Sequence, residues 1–163
     1  MFAINWDMTD SIAIRPAVDG DRDFVAGLVP SLLEFGSHAW KDVGALAPGF
    51  RRVLADAISR GDPNAAVFIA QAPDETPLGF ISLQVREDIV GAPRAHVADV
   101  AVIEGARRTG VGRALMRAGE AWARQQGINV LSLDVWSTNE RALAFYGRLG
   151  YRTESLCLIK ALD

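Results

Sequence analysis

One stretch constrains this chain more than any other. A run of strand-forming residues, Val100-Ala101-Val102-Ile103, passes through the loop Glu104-Gly105-Ala106-Arg107-Arg108-Thr109 into a long stripe that opens at Gly110-Val111-Gly112-Arg113. The stripe has Val111, Leu115, Ala118 and Trp122 in helical register and stops at Gly127. A buried strand feeding an amphipathic helix calls for a sheet with helices packed on it. The first amides of a helix have no acceptor inside it and, with the helix dipole, form an anion site. Glycines at 110 and 112 remove β-carbons that would hold an anion off the backbone, and Arg107, Arg108 and Arg113 can add charge-assisted contacts. A Gly-x-Gly pair alone signals no more than a closely packed helix start. Strand, paired arginines and amphipathic helix together favour the anion site.

The rest of the chain supplies the other elements of such a sheet. Residues 12–18 read as a strand and 21–35 as a helix that Pro30 should kink or divide. Residues 37–48 read as irregular, and a second helix runs from near Pro48 to Gly61. Residues 65–70 and 78–85 form a hairpin around Pro73-Asp74-Glu75-Thr76-Pro77, and 95–103 is a third apolar run. A helix over 110–126, a strand over 128–135, a short helix over 140–149 and a closing strand over 151–159 complete the order. Three antiparallel strands followed by a strand-helix-strand crossover predict the α+β class: a mixed, mostly antiparallel, splayed sheet with helices on both faces. The 163 residues fit one domain, 1–163, with no repeat or linker.

Half of the residues are hydrophobic and the net charge is -3, which argues against a nucleic-acid-binding surface. Cys157 is the sole cysteine, so no internal disulfide forms, and it reads as a buried structural residue. The first ten residues lack the pattern of a secretory signal. No segment approaches the roughly 20 apolar residues that span a bilayer. The expectation is a cytoplasmic protein with no membrane or nucleic-acid partner and no metal site.

Two phosphate loops compete for the arginine-glycine segment. A P-loop requires Lys-Ser or Lys-Thr after its glycines, and neither follows here. A dinucleotide fingerprint requires a third glycine where Leu115 stands, although Asp134 lies about 20 residues on, where a ribose-binding acid belongs.

The same residues resemble the GNAT superfamily of acyl-coenzyme A N-acyltransferases. Arg107-Arg108-Thr109-Gly110-Val111-Gly112 matches that family's Arg/Gln-x-x-Gly-x-Gly/Ala signature at every fixed position. Downstream, Asn139, Ala142, Phe145, Tyr146, Gly150 and Tyr151 match its Asn-x-x-Ala-x-x-Phe-Tyr motif and the Gly-Tyr pair that follows. The order of elements agrees over about the whole chain. The resemblance implies a GNAT fold, with acetyl-coenzyme A as cosubstrate in a V-shaped gap between the fourth and fifth strands. Its pyrophosphate would rest on the amides of Arg107, Arg108, Thr109, Gly110, Val111 and Gly112, with Arg113 nearby. The pantetheine arm would pair with Val100, Ala101 and Val102 as an added strand would, and Asn139 would touch it from the other side.

The implied activity is direct transfer of acetyl to a primary amine, on a small molecule or a protein, without metal or covalent enzyme intermediate. The alternative is a non-catalytic acyl-coenzyme A-binding sensor module. Tyr146 occupies the family's general-acid position, and a phenol is protonated at neutral pH. For the base, Asp99 matches the family's acidic position and His96 has the better natural pKa. Strict alternation sets these two on opposite faces, unless a bulge intervenes. His38 is a further candidate. Phe35, Trp40, Phe50 and Trp136 are the aromatic residues available to an acceptor pocket. The resemblance also admits a homodimer.

Overall fold

The computed structural model describes residues 12–35, 44–160 and 162. Along these residues run β1 (Ala13–Pro16), α1 (Arg22–Leu33), α2 (Ala47–Ser59), β2 (Ala65–Gln71), β3 (Pro77–Glu87), β4 (Pro93–Val102), α3 (Val111–Gln125), β5 (Leu131–Leu133) and α4 (Glu140–Arg148). The strands form one sheet in the order β1-β2-β3-β4-β5. The first four pair antiparallel, and β5 joins β4 in parallel after the α3 crossover.

Each face of the sheet buries its own cluster. Val25, Val29 and Leu33 of α1 and Leu54 of α2 cover Val67, Ile69, Phe80 and Ala101. On the opposite face Val111, Leu115, Met116, Trp122 and Ala123 of α3 cover Ile81, Leu83, Ala95 and Val97. Phe145, Tyr146 and Leu149 of α4 pack against that second cluster. Alternation along each strand therefore serves two cores. Strand β1 is tied by charge to the approach to α1. The Arg15 guanidinium on β1 grips the Asp21 carboxylate ahead of α1 in two bonds of 2.7 and 2.8 Å, and Asp21 is buried.

Alternation fails at one place, in the middle of β4. Val97 pairs with Leu83 and Asp99 with Ser82, so Ala98 has no partner and stands out as a bulge. Before it, Ala95 and Val97 face α3; after it, Val100 and Val102 do so, while Ala101 faces α1 and α2.

Three expectations about the elements need correction. Pro30 does not divide α1, which is continuous from Arg22 to Leu33. Its ring lies on the exposed side, and the buried row of Val25, Val29 and Leu33 outweighs one missing backbone bond. The fifth strand is Leu131–Leu133, shorter than the 128–135 pattern, because its pairing with β4 covers only three residues. No strand forms over 151–159 among the described residues. Leu156, Leu158 and Ile159 are exposed there, and Glu154 is drawn by two bonds to Arg94 at the start of β4. Alternating apolar residues mark a segment suited to a sheet, not one that has found a neighbour. Cys157 accordingly is exposed, not buried.

Candidate active site

The parting of β4 and β5 builds the site. The two strands pair only at Ala95↔Leu131, His96↔Ser132 and Val97↔Leu133, and separate beyond the bulge. On its other edge β4 stays paired with β3 through Val102, and the Ile103 amide bonds to the Leu78 carbonyl at 2.9 Å. In an antiparallel ladder alternate residues turn their main-chain groups inward. Ile103 and Ala101 therefore serve β3, and Val100 and Val102 turn theirs toward the gap. Of the three residues expected to pair with an added strand, Ala101 is already committed. The gap is a cleft lined by Val100, Ala101, Val102 and Arg107 on one side and by Asn139, Arg141, Ala142 and Phe145 on the other. Ser31, Glu34 and Phe35 of the α1 end close it from a third direction. The Thr138 hydroxyl donates to the Phe35 carbonyl at 3.1 Å, tying the α1 end to the α4 approach.

The loop before α3 is shaped as an anion cradle. Arg108 and Gly110 both have left-handed backbone, with φ of 66° and 95°. For a residue with a β-carbon that conformation costs about 1 kcal/mol, and it curls successive N–H groups into a concave nest ahead of the helix. Gly112 has a different role from the one expected. A β-carbon there would stand 3.3 Å from the Phe145 ring, so the glycine admits α4 against α3 rather than an anion against the backbone. Thr109 turns its hydroxyl inward to the Ala106 carbonyl at 2.7 Å. Arg107 lines the cleft and its Nε donates to the Val102 carbonyl at 3.4 Å; Arg108 and Arg113 are exposed, and Val111 is buried.

The bulge decides the fate of the two candidate bases. It shifts the phase of β4 by one residue, so His96 and Asp99 share the α1/α2 face instead of standing on opposite ones. They lie beside Gln84 and Ser82, their register partners on β3. Burial, partly offset by the nearby Arg86 charge, pushes the Asp99 carboxyl up to about 6. No hydrogen bond to that carboxylate occurs among the described residues. His96 is buried and its Nδ1 lies 3.0 Å from Ser132 Oγ. The Ser132 hydroxyl oxygen lies 3.2 Å from the Ala95 carbonyl as well, so Ser132 bridges the imidazole and the β4 main chain. Burial first, and Arg86 next, hold the imidazole below its ordinary pKa, against the opposing pull of Asp134.

Asn139 caps α4, its side-chain oxygen accepting from the Ala142 amide at 3.0 Å. Its NH₂ is left to face the cleft it lines. Tyr146 stands one residue past Phe145, with ring centroids at 5.2 Å from Phe145 and 5.8 Å from Tyr151. Burial alone pushes its phenol up to about 12. Phe145, not Tyr146, is in the cleft wall. Of the aromatic candidates, Phe35 lines the cleft and Phe50 packs in the α1/α2 core; His38 and Trp40 lie outside the described residues. The Trp136 carbonyl accepts from the Asn139 amide in the turn that leads into α4. Sequence reasoning missed Arg86, Ser132, Glu34 and Arg141. It weighed Asp134 only as a ribose ligand, whereas the residue faces His96 at 3.7 Å and Arg86 at 3.8 Å. No motif marks these residues, which are gathered by strand register alone. Among the described residues no helix is long and apolar enough to cross a membrane.

The chain is similar to several known proteins. The aminoglycoside N(6')-acetyltransferase type 1 of Klebsiella aerogenes is 39% identical over 93 residues, which is 53% of this chain and 59% of that relative. The chain thus spans little more than half the length of that curated relative. A tetramutant of the BH1408 protein from Bacillus halodurans superposes with a TM-score of 0.76 at 21% identity, covering 92% of this chain and 99% of its own. The structure of AAC(6')-Iy in complex with the bisubstrate analog CoA-S-monomethyl-acetylneamine gives 0.72 at 20% identity, covering 93% and 98%. These last two likenesses concern the fold. The family model "Acetyltransferase (GNAT) family" matches residues 33–151, from the end of α1 through both motifs to Tyr151. That span holds the parted strands, the cradle and the α4 cap together, and the chain belongs to the GNAT acetyltransferase family.

Proposed function

We propose that this protein transfers an acetyl group from acetyl-coenzyme A to a primary amine of a small, cationic acceptor by direct attack. The observation that carries this reading is the half-buried Asp99 carboxylate beside the open edge of β4, without a hydrogen bond among the described residues. A carboxyl near 6 is ionised at neutral pH yet still able to take a proton. The residues fit the cosubstrate. The outward main chain of Val100 and Val102 suits an amide-bearing pantetheine arm, the nest before α3 suits phosphates, and Arg107 and the Asn139 NH₂ flank the cleft between them. The name of the Klebsiella aerogenes relative supports a small-molecule amine over a protein amino group.

In this reading Asp99 accepts a proton from the acceptor ammonium, and the freed nitrogen attacks the thioester carbonyl carbon. An outward amide of β4 stabilises the oxyanion. The attacking nitrogen gives its second proton to solvent, the C–S bond breaks, the amide product forms, and the thiolate leaves. Tyr146 stays protonated because burial disfavours its phenolate. Full transfer of its proton to a thiolate of ordinary pKa near 8.5 is uphill by roughly 5 kcal/mol. Its contribution is therefore a hydrogen bond to the developing thiolate, with solvent completing the protonation. Among the described residues its hydroxyl has no competing partner.

Thiol release from acetyl-coenzyme A, measured against a panel of amines, tests the reading. We expect turnover that falls at least tenfold in Tyr146→Phe and further in Asp99→Asn. The second reading, a sensor that binds the cosubstrate without using it, draws on the absence of Tyr146 from the cleft wall. Binding without turnover on any amine would select it.

A further inference from the structure

The segment after α4 is left without a role by the fold and by the proposed reaction. Residues 151–160 carry no secondary structure, and from Arg152 onward all of them are exposed. Leu156 is 79% exposed and Leu158 92%. Among the described residues the most exposed large apolar side chains are Leu156, Leu158 and Leu162 of this region, with Ile89 and Val90 of the β3–β4 turn. One point of the segment is fixed. Glu154 takes two bonds from the Arg94 guanidinium at the start of β4, just past that turn. The exposed segment and the exposed turn therefore belong to one end of the sheet, and apolar surface gathered in this way marks an interface.

The order of residues says what partner would fit. Glu154-Ser155-Leu156-Cys157-Leu158-Ile159-Lys160 is complementary to itself when reversed. Laid antiparallel on a second copy, about a two-fold axis through Cys157, it sets Glu154 opposite Lys160, Ser155 opposite Ile159 and Leu156 opposite Leu158. The same pairs recur on the other side of the axis. Residues two apart share a face. One face then gathers the four leucines, closed at each end by a carboxylate against an ammonium. The other gathers Cys157 and Ile159 of both copies. Aliphatic pairs and opposite charges across an antiparallel ladder each stabilise it. A parallel, in-register pairing would instead set Glu154 on Glu154 and Lys160 on Lys160. Arg94 already orders the Glu154 side chain, so fixing it on association costs little.

We propose that residues 154–160 are a self-pairing strand through which two copies of this chain join about a two-fold axis, with Cys157 facing Cys157 of the second copy. The interface is isologous, the same patch serving both copies. It gives main-chain groups outside the sheet a ladder, and it takes the leucines out of water. Ile89 and Val90 extend the apolar surface at the same end of each sheet. As Cys157 is the sole cysteine, any disulfide it forms within this protein joins two copies. The inference does not depend on the acetyl-transfer reading, since none of the residues assigned to that reaction lies in the segment.

Sedimentation of the full chain under a thiol reductant tests the assembly. Wild type should run as a dimer and Leu158→Lys as a monomer with an unchanged circular dichroism spectrum, because that side chain is exposed within one copy. Charge reversal tests the pairing. Lys160→Glu alone sets two carboxylates opposite each other at both ends, and Glu154→Lys alone sets two ammoniums there. Each should weaken the dimer about tenfold. An equimolar mixture of the two restores both opposite pairs and should dimerise better than either, which no defect within one copy explains. Register is read by oxidation. Diamide, taking the two thiol protons and two electrons, should link wild type through Cys157 about tenfold faster than it links Cys157→Ser carrying Leu156→Cys, whose thiols are out of register. A monomeric wild type, a dimer that survives Leu158→Lys, a mixture no tighter than its components, or equal linking at positions 156 and 157 overturns the proposal.

Discussion

Asp99 is a residue whose surroundings work against the fold, and in the proposed reaction they favour the chemistry. In an unfolded chain its carboxyl titrates near 3.8, and in the folded protein near 6. Between those values the native state binds more protons than the unfolded one, so stability falls as pH rises through the window 3.8 to 6. Above it the ionised group costs the fold about 3 kcal/mol. Asp99→Asn keeps the shape and removes that cost. The variant should therefore melt at a higher temperature than wild type at pH 7 while losing two to four orders of magnitude in kcat, on the order expected for a general base. Wild-type kcat/KM should decline as pH drops through about 6, because the protonated carboxyl can no longer accept. Calorimetry and a pH-rate profile check the two halves separately. A structural carboxylate would give the opposite sign in the melt.

Among the elements, β1 is secured by a buried charge. Arg15 holds the Asp21 carboxyl below its ordinary pKa, through their hydrogen bonds first, and the Val18 amide adds to the effect at 2.8 Å. Here the sign is reversed: the stabilisation is complete above the unfolded pKa of 3.8 and is lost as pH falls below it. Asp21→Ala strands the guanidinium and should destabilise the protein by about 2 to 3 kcal/mol in denaturant melts at pH 7, with acid sensitivity reduced. Elements set by short-range rules are legible in the residues themselves. The loop into α3 and the Asn139 cap announce themselves because glycine freedom, capping and helical periodicity act within a few residues. The bulge at Ala98 leaves no such trace, since one extra residue in a strand changes neither composition nor spacing of the apolar set enough to be counted. Its effect on His96 and Asp99 is therefore invisible in the sequence, and so is the meeting of His96 with Ser132 and Asp134. That meeting depends on the parallel register of two strands separated by a helix. The 151–159 pattern misleads for a related reason, as pairing is a property of two segments and the sequence displays one at a time.

For the whole molecule, acetyl-coenzyme A should behave as a structural component. Ligand at one hundred times its dissociation constant adds about 2.7 kcal/mol to the folded state. In a chain of this size that corresponds to a rise in melting temperature of roughly 5 to 10 °C. Desulfo-coenzyme A, which cannot react, should do the same, and a scan with and without it is the check. The parting of β4 from β5 gives that gain an address. Val100 and Val102 turn main-chain groups toward the cleft where β5 would otherwise meet them, so the protein is a sheet one strand short along half of its length. Hydrogen exchange should report this as a local clock. The outward amides of Val100 and Val102 should exchange quickly in the bare protein while that of Ala101, between them, is slow. When the ligand fills the missing row, all three should slow together, and the central strand would then be completed by a molecule consumed at every turnover.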